Sequence, residues 1–403
     1  MLLLLSWRDE EVPPEHQVRS LLAEQRRTGR AELMTLAPLD QGAVTTLAEA
    51  EGMTLTAALA TRLHQESAGV PLLVVEYLAM LREQGLPADD HNWPLPSRAR
   101  DLLEARLRVL NDQARTLLSA AAVLGQAFDL PTLCAAATLD EAAAIDSLDV
   151  LLGRGLLVEV SVRPLRFAFS HERLQALVYE RLSHARRILL HRRVASYLAE
   201  QLAATSRAGL AAQVAYQATA AGESQLAALH HQRAGDEART LAANSEAVTH
   251  YLAALAAGHP DVAILYEALG DLLALAGNYP EALAQYRAAQ PRSGANCTVS
   301  RKIGELHHRL GDWEAAEAQF AFVLAKQETS LAERALVLAA WSLTAQRCGD
   351  SAHAARLAEQ ALADGVASGD RHALVRAYGA AGSCAAKQGE QEIACAHYDP
   401  GNA

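Results

Sequence analysis

Lysine is almost missing from this chain of 403 residues, occurring only at Lys302, Lys326 and Lys387. That scarcity excludes a phosphate-gripping loop of the form GxxxxGK[ST], in which backbone amides cradle the phosphates and the lysine neutralises the terminal ones. A formal charge of −11 argues against general affinity for polyanions, which depends on concentrated Lys and Arg releasing counterions. The five cysteines (Cys134, Cys297, Cys348, Cys384 and Cys395) contain no CxxC pair, so neither a zinc cage nor a disulfide framework is expected, and the expected place is a reducing cytoplasm. No apolar run approaches the roughly 18 residues that cross a bilayer. The opening "MLLLLSWRDEEV" does not read as a secretion signal either, because it has no basic start and charges interrupt it at once. Serines, cysteines and histidines occur without a nucleophile elbow or a base at recognisable spacing, and His230-His231 and His307-His308 are adjacent positions that diverge on a helix. Hydrolysis by the chain alone is not expected.

What is present is helix-forming. Hydrophobic residues make up 51% and aromatics only 5%, the composition of helices that pack closely through small side chains. Self-similarity is strongest in the C-terminal half. "LGDLLALAGNYPEALAQYRAA" and "IGELHHRLGDWEAAEAQFAFV" superpose so that Gly270 falls on Gly304, Gly277 on Gly311, Tyr279 on Trp313, Ala282 on Ala316 and Tyr286 on Phe320. All five offsets are 34 residues. Small residues let two antiparallel helices approach, Gly-Asn or Gly-Asp makes the turn, and the later aromatic fills the groove against the next unit. The pattern resembles the tetratricopeptide repeat (TPR). Weaker copies carry Gly235, Ala247, Tyr251 and Ala254 upstream, then Ser342, Gly349, Ala354 and Ala361, then Gly382, Gly389, Ala394 and Tyr398 downstream. The last lacks the polar capping helix of a solenoid end, so the array is expected to be cut short.

Residues 112–200 read as three helices, a short hairpin about Arg163-Pro164 built from "LLVEV" and "RFAFS", and a charged helix. That order resembles a winged helix. Arg181, Arg186, Arg187, Arg192 and Arg193 invite a nucleic-acid reading, but an apolar stripe shares their helix and paired base-reading residues are lacking, so a solvated face is the preferred reading. Earlier still come a helix over 14–28, a short strand "AELMTLAPL", helices over 41–51 and 56–67, and "AGVPLLVVEYL", where proline opens a helix whose first amides can face a ligand.

In order, an apolar strand ending in "SWRDEEV", then "AGVPLLVVEYL", then "FSHERLQALVYERLSHARRILLHRRVA", then TPRs, the whole chain resembles the C-terminal portion of bacterial STAND-type, AAA-like regulatory ATPases of the large LuxR or SARP kind. The resemblance implies a mainly α chain. Residues 1–40 are then a remnant of a nucleotide-binding α/β domain, 41–111 a helical lid, 112–200 a winged-helix-like domain with its linker helix, and 201–403 a TPR superhelix of about five units. It also implies nucleotide-proximal roles for Arg8 at the strand end, Gly69 and Pro71 in the lid, and His171 in the winged helix. Since "MLLLLS" reads as an inner strand without its sheet, residues 1–40 are expected to be disordered, to cover themselves, or to pair with another polypeptide.

The expected function is a non-catalytic regulator or scaffold with no cofactor of its own, binding a protein partner or small inducer on the TPR surface and capable of self-association. An ATPase fragment that takes ATP or ADP only with a P-loop half from another chain is the first alternative. A DNA-binding regulator is the second.

Overall fold

The computed structural model describes residues 5–6, 12, 16–84, 93–125, 127–205, 209–290 and 297–398. Among them are twenty-one helices and two strands, so the chain is mainly α. It forms two compact units, Met1–Arg207 with Tyr216–Glu223, and Ala208–Ala215 with Ser224–Ala403.

The first unit begins with α1 (Gln17–Arg27), every residue of which keeps some exposure. The next helices are α2 (Gln41–Ala50), α3 (Ala57–Ser67), α4 (Pro71–Gln84) and α5 (Ser97–Arg108). Asp40 and Thr56 start α2 and α3 by accepting from the Ala43 and Leu59 amides, the ordinary satisfaction of orphan N–H groups at a helix start. Val44, Leu63, Val74, Tyr77, Leu78 and Trp93 form one core among these elements. The Tyr77 and Trp93 rings lie 5.7 Å apart, and burial pushes the Tyr77 hydroxyl up to about 12. Full burial of side chains this size contributes roughly 1.5–3 kcal/mol each.

The expected strand "AELMTLAPL" is not a strand. Residues 31–39 have no regular structure, and Leu33, Met34 and Leu36 stay exposed. Extended backbone becomes a strand only when a ladder satisfies its polar groups, and the only strands among the described residues pair with each other. Of the expected opening strand only Leu5 is described, and Arg8 lies outside the described residues.

The unit continues with α6 (Asp112–Leu124), α7 (Leu130–Ala137) and α8 (Glu141–Gly153), started by Asn111, Asp129 and Asp140 respectively. Strands β1 (Leu157–Val162) and β2 (Leu165–Phe169) then pair antiparallel, with Leu157 opposite Phe169 and a bulge between Glu159 and Ser161. The alternation puts Leu157, Phe167 and Phe169 inside and leaves Val158, Val160 and Val162 exposed, as period-two side chains require. Helices α9 (Glu172–Arg181) and α10 (His184–Thr205) follow, and α11 (Leu210–Ala221) has residues in both units.

The second unit is a series of antiparallel helix pairs: α12 (Ser224–Thr240) with α13 (Asn244–Ala256), α14 (Val262–Leu275) with α15 (Tyr279–Ala289), α16 (Cys297–Leu310) with α17 (Trp313–Leu324), α18 (Leu331–Cys348) with α19 (Ser351–Ser368), and α20 (Arg371–Gln388) with α21 (Gln391–Tyr398). This is a TPR-type α-solenoid. In three pairs a glycine of the first helix meets an aromatic ring of the second. A Cβ on Gly235 would lie 2.6 Å from the Tyr251 ring, one on Gly270 2.5 Å from Tyr286 Cδ1, and one on Gly304 2.5 Å from Phe320 Cε1. Real Cβ atoms do not approach so closely, so glycine sets the spacing of the two helices. The same rings also reach the following pair, Tyr286 joining Val299 and Ile303 and Phe320 joining Val337 and Ala340. In the fourth pair Ser342 takes the small position and donates to the Ala354 carbonyl at 2.8 Å.

Candidate functional site

Two places gather the residues singled out in the sequence, one in each unit. In the first unit, α3 ends in two left-handed residues, Ala68 at φ 48° and Gly69 at φ 70°. The Gly69 amide donates to Ser67 Oγ at 3.3 Å, and its carbonyl accepts from the Leu39 amide at 2.8 Å. A Cβ on Gly69 would overlap the Leu39 carbonyl group, whose carbon is 3.0 Å away and whose oxygen is nearer still. Glycine is required here both by conformation and by the passing backbone. Pro71 then opens α4.

His171 comes to this turn from the far side of the sequence. Its Nδ1 caps α9 by accepting from the Arg173 amide at 3.1 Å. Nε2 is buried without a well-aligned partner, although the Ser67 carbonyl is close enough to favour a proton on the ring. Burial outweighs that attraction and lowers the His171 pKa, so the ring is neutral near pH 7. Beside it Arg173 pairs with Glu66, and Arg62 reaches the same carboxylate at 2.5 Å. Glu66 keeps only 9% side-chain exposure. The structure therefore brings Gly69, Pro71 and His171 to one junction between α3, α4 and α9, held by a carboxylate between two guanidiniums.

Sequence reasoning missed Glu66, Arg62 and Arg173. Glu66 and Arg173 are 107 residues apart, and no spacing rule links them. It also missed a buried polar cluster around His191, which is 1% exposed. His191 Nδ1 meets Gln217 Oε1 at 2.6 Å, Nε2 meets the Tyr179 hydroxyl at 3.0 Å, and the Gln217 amide donates to the Val123 carbonyl at 3.4 Å. The neighbouring arginines are committed. Arg187 donates to the Tyr179 and Glu180 carbonyls, Arg192 to Glu223 at 2.5 Å, and Arg193 to the Ala136 carbonyl at 3.4 Å.

In the second unit the sequence-predicted repeat residues divide by role. Ala282 and Ala316 are fully buried, as are Tyr286 and Phe320 to within a few per cent. Gly277 and Gly311 make the turns at φ 81°. Tyr279 and Trp313 begin the second helices half-buried, Tyr279 beneath Arg309 at 5.6 Å and Trp313 edge-on to His308 at 5.4 Å.

The residue after each pairing glycine carries charge. Tyr251 donates to Asp236 and Tyr286 to Asp271, both at 2.7 Å. Burial, then the nearby carboxylate, raises the Tyr286 pKa. Asp271 also accepts from Lys302 at 2.6 Å, and Lys302 reaches Glu267 at 2.7 Å. Glu305 binds Arg301 at 2.8 Å and Arg376 at 3.6 Å, while Arg301 binds Glu333 at 2.9 Å. Glu267 and Asp271 stand one turn apart on α14, as do Lys302, Glu305 and Arg309 on α16. Successive first helices thus share a row of alternating charge. The Gly-Asp, Gly-Asp and Gly-Glu steps at 235, 270 and 304 were the sequence signal for it.

Among the described residues no three His, Cys, Asp or Glu side chains come together as a metal site, and no helix is long and apolar enough to cross a membrane. No family model matches the chain, and no curated protein matches it. Solved structures do resemble it. A signal transduction ATPase with numerous domains and a TPR sensor, from Pyrococcus horikoshii, aligns with TM-score 0.49 and 14% identity over 92% of this chain and 54% of its own. The present chain thus spans about half the length of that ATPase. A TPR protein from Parabacteroides merdae aligns with TM-score 0.41 and 18% identity over 50% of this chain and 77% of its own. YrrB, described as a TPR protein with an unusual peptide-binding site, aligns with TM-score 0.36 and 17% identity over 47% of this chain and 90% of its own. The architecture given above stands on the helix pairs themselves.

Proposed function

We propose that this chain is a non-catalytic regulatory and scaffolding protein whose first-helix face in the repeat unit receives a protein partner or a small inducer. The observation that carries the reading is the repeated glycine, carboxylate and aromatic device, which aligns Glu267, Asp271, Lys302 and Glu305 across adjacent first helices. Such arrays present extended side-chain surfaces rather than enclosed reaction chambers.

The first unit is then the control half of a STAND-type switch, with 41–111 as lid and 112–200 as the winged-helix-like module. The convergence of Gly69, Pro71 and His171 supports reading their junction as the wall of an ancestral nucleotide site. The donor set is incomplete for gripping a triphosphate: residues 1–301 contain no lysine, and Arg62 and Arg173 are already bound to Glu66. ATP or ADP would bind only with a P-loop domain supplied by another polypeptide. The DNA-binding reading is weakened by the commitment of Arg187, Arg192 and Arg193 to carbonyls and a carboxylate.

Two measurements test this. Titration of the purified chain with magnesium ATP and with ADP is expected to give no tight binding, and tight binding would overturn the scaffold reading. Peptides selected by display against the chain are expected to lose affinity with Arg309→Glu on a first helix and to keep it with Glu314→Lys on a second helix. The reverse pattern would place the receptive face elsewhere.

A further inference from the structure

A half-open pocket of about 290 Å³ lies in the first unit where the end of α5, the first half of α6 and the end of α9 meet. Its wall is apolar: Leu107, Leu110, Leu118, Val178 and Leu182 line it. The rest of the lining is Ser119, whose hydroxyl donates to the Arg115 carbonyl at 2.7 Å, and three arginines, Arg108, Arg115 and Arg181, arriving from three different elements. An apolar wall with a few convergent polar groups is how small-molecule sites are built, and this volume is at the small end of their range of roughly 300–1,000 Å³.

The charges around the cavity do not cancel. Glu104 serves two guanidiniums at once, 3.7 Å from Arg108 and 3.4 Å from Arg181. Both contacts are longer than the roughly 2.7–2.9 Å of a well-made guanidinium–carboxylate bond. Arg115 touches Asp112 at 3.3 Å, but that aspartate is 99% exposed, so water screens it. Arg115 is anchored instead by the Leu110 carbonyl at 2.9 Å. Three guanidiniums thus face two carboxylates at a place already shaped for an apolar body, and one of the two, Glu104, is stretched between two partners.

We propose that this cavity binds a small amphiphilic carboxylate, its apolar body against Leu107, Leu118 and Val178 and its carboxylate taking the place of Glu104 on Arg108 and Arg181. The size selects a short acyl chain or a single substituted ring. A neutral ligand of the same shape leaves the guanidiniums with their stretched contacts and binds less well. Because Arg108 belongs to α5 and Arg181 to α9, the ligand fastens two elements that now share one overextended carboxylate. The proposal concerns a different place from the repeat face and does not depend on it.

Octanoate and octanamide, titrated calorimetrically against the full chain, test it. Saturable octanoate binding is expected, weakened about tenfold by Arg108→Gln or Arg181→Gln, since charge-assisted bonds are lost. Octanamide should bind about tenfold or more weakly than octanoate, and rising salt should narrow that gap. Val178→Trp, which fills the cavity, should abolish binding. The two arginine variants change exposed side chains and keep the test alive if Val178→Trp does not fold. Absence of saturable binding at millimolar octanoate overturns the proposal. So does equal affinity for octanamide, or octanoate affinity indifferent to both arginine variants, which would mark adventitious partition onto apolar surface.

Discussion

Replacing Gly270 by alanine puts opposing effects in one position. Alanine in a helix interior is favoured over glycine by about 1 kcal/mol. Here, however, its Cβ would lie 2.5 Å from Tyr286 Cδ1, and the ring is 3% exposed with its hydroxyl held by Asp271 at 2.7 Å. Overpacking of this kind costs about 1–3 kcal/mol. Turning the ring aside breaks a hydrogen bond to a charged group, worth about 1.5–3 kcal/mol. The clash wins, and Gly270→Ala is expected to destabilise the repeat unit by about 3 kcal/mol. Gly379 supplies the control, because it also lies in a helix interior, α20, yet an added Cβ there meets nothing within 4 Å. Gly379→Ala should stabilise by about 0.5–1 kcal/mol. Helix arrays unfold piecewise, so urea unfolding followed by helical circular dichroism should be joined to amide exchange in α14 and α15. In a Tyr286→Ala background, itself destabilised, Gly270→Ala should add little or no further cost. If both glycine substitutions shift stability in the same direction, the helix spacing is not set by glycine against the ring and the account of the array fails.

Three further outcomes follow from the first unit and the buried histidines. Arg173→Ala leaves Glu66 with Arg62 alone and should lower stability by about 1–3 kcal/mol; an unchanged urea midpoint would show that Arg62 suffices. Ala68→Gly relieves a left-handed alanine at φ 48° and should raise the midpoint, by about 1 kcal/mol, whereas a fall would show that alanine is unstrained there. Burial lowers the pKa of His171, His191, His230, His231 and His308. As pH drops below the unfolded value of about 6.5, the unfolded chain takes up protons that the folded chain refuses, so stability falls through that window until the folded groups titrate. Urea midpoints at about pH 7.5 and about pH 5.5 should show the decline, and a rise at the lower pH would contradict it.

The repeat was legible because its constraints are local in sequence: Gly270 and Tyr286 are held sixteen positions apart by one helix pair, and the same spacing recurs at Gly304 and Phe320. The hairpin was legible through its alternation. "AELMTLAPL" misled because its apolar residues satisfied a strand pattern with no ladder to join. Gly69 could be recognised as a turn, but the second reason for glycine, the Leu39 carbonyl lying across it, depends on chain thirty residues away. The junction at Glu66 and the His191 cluster were invisible for the same reason, since arginine, glutamine and histidine become partners only after distant helices meet. The arginines of α10 read as a solvated face, and the sequence did not show that Arg187 and Arg193 bind carbonyls and Arg192 the Glu223 carboxylate.

The third helix pair departs from the second in one coupled respect. With Phe320 in place of a tyrosine there is no hydroxyl to occupy the acidic residue beside Gly304, and Glu305, one methylene longer than Asp271, extends instead to Arg301 and Arg376. Neighbouring modules are therefore alike in their hydrophobic joinery and unlike in the electrostatic print they show outward. A segment laid along the array and displaced by one module would meet carboxylates and cations in a different order, so the charges distinguish one alignment from the next even though the scaffold repeats.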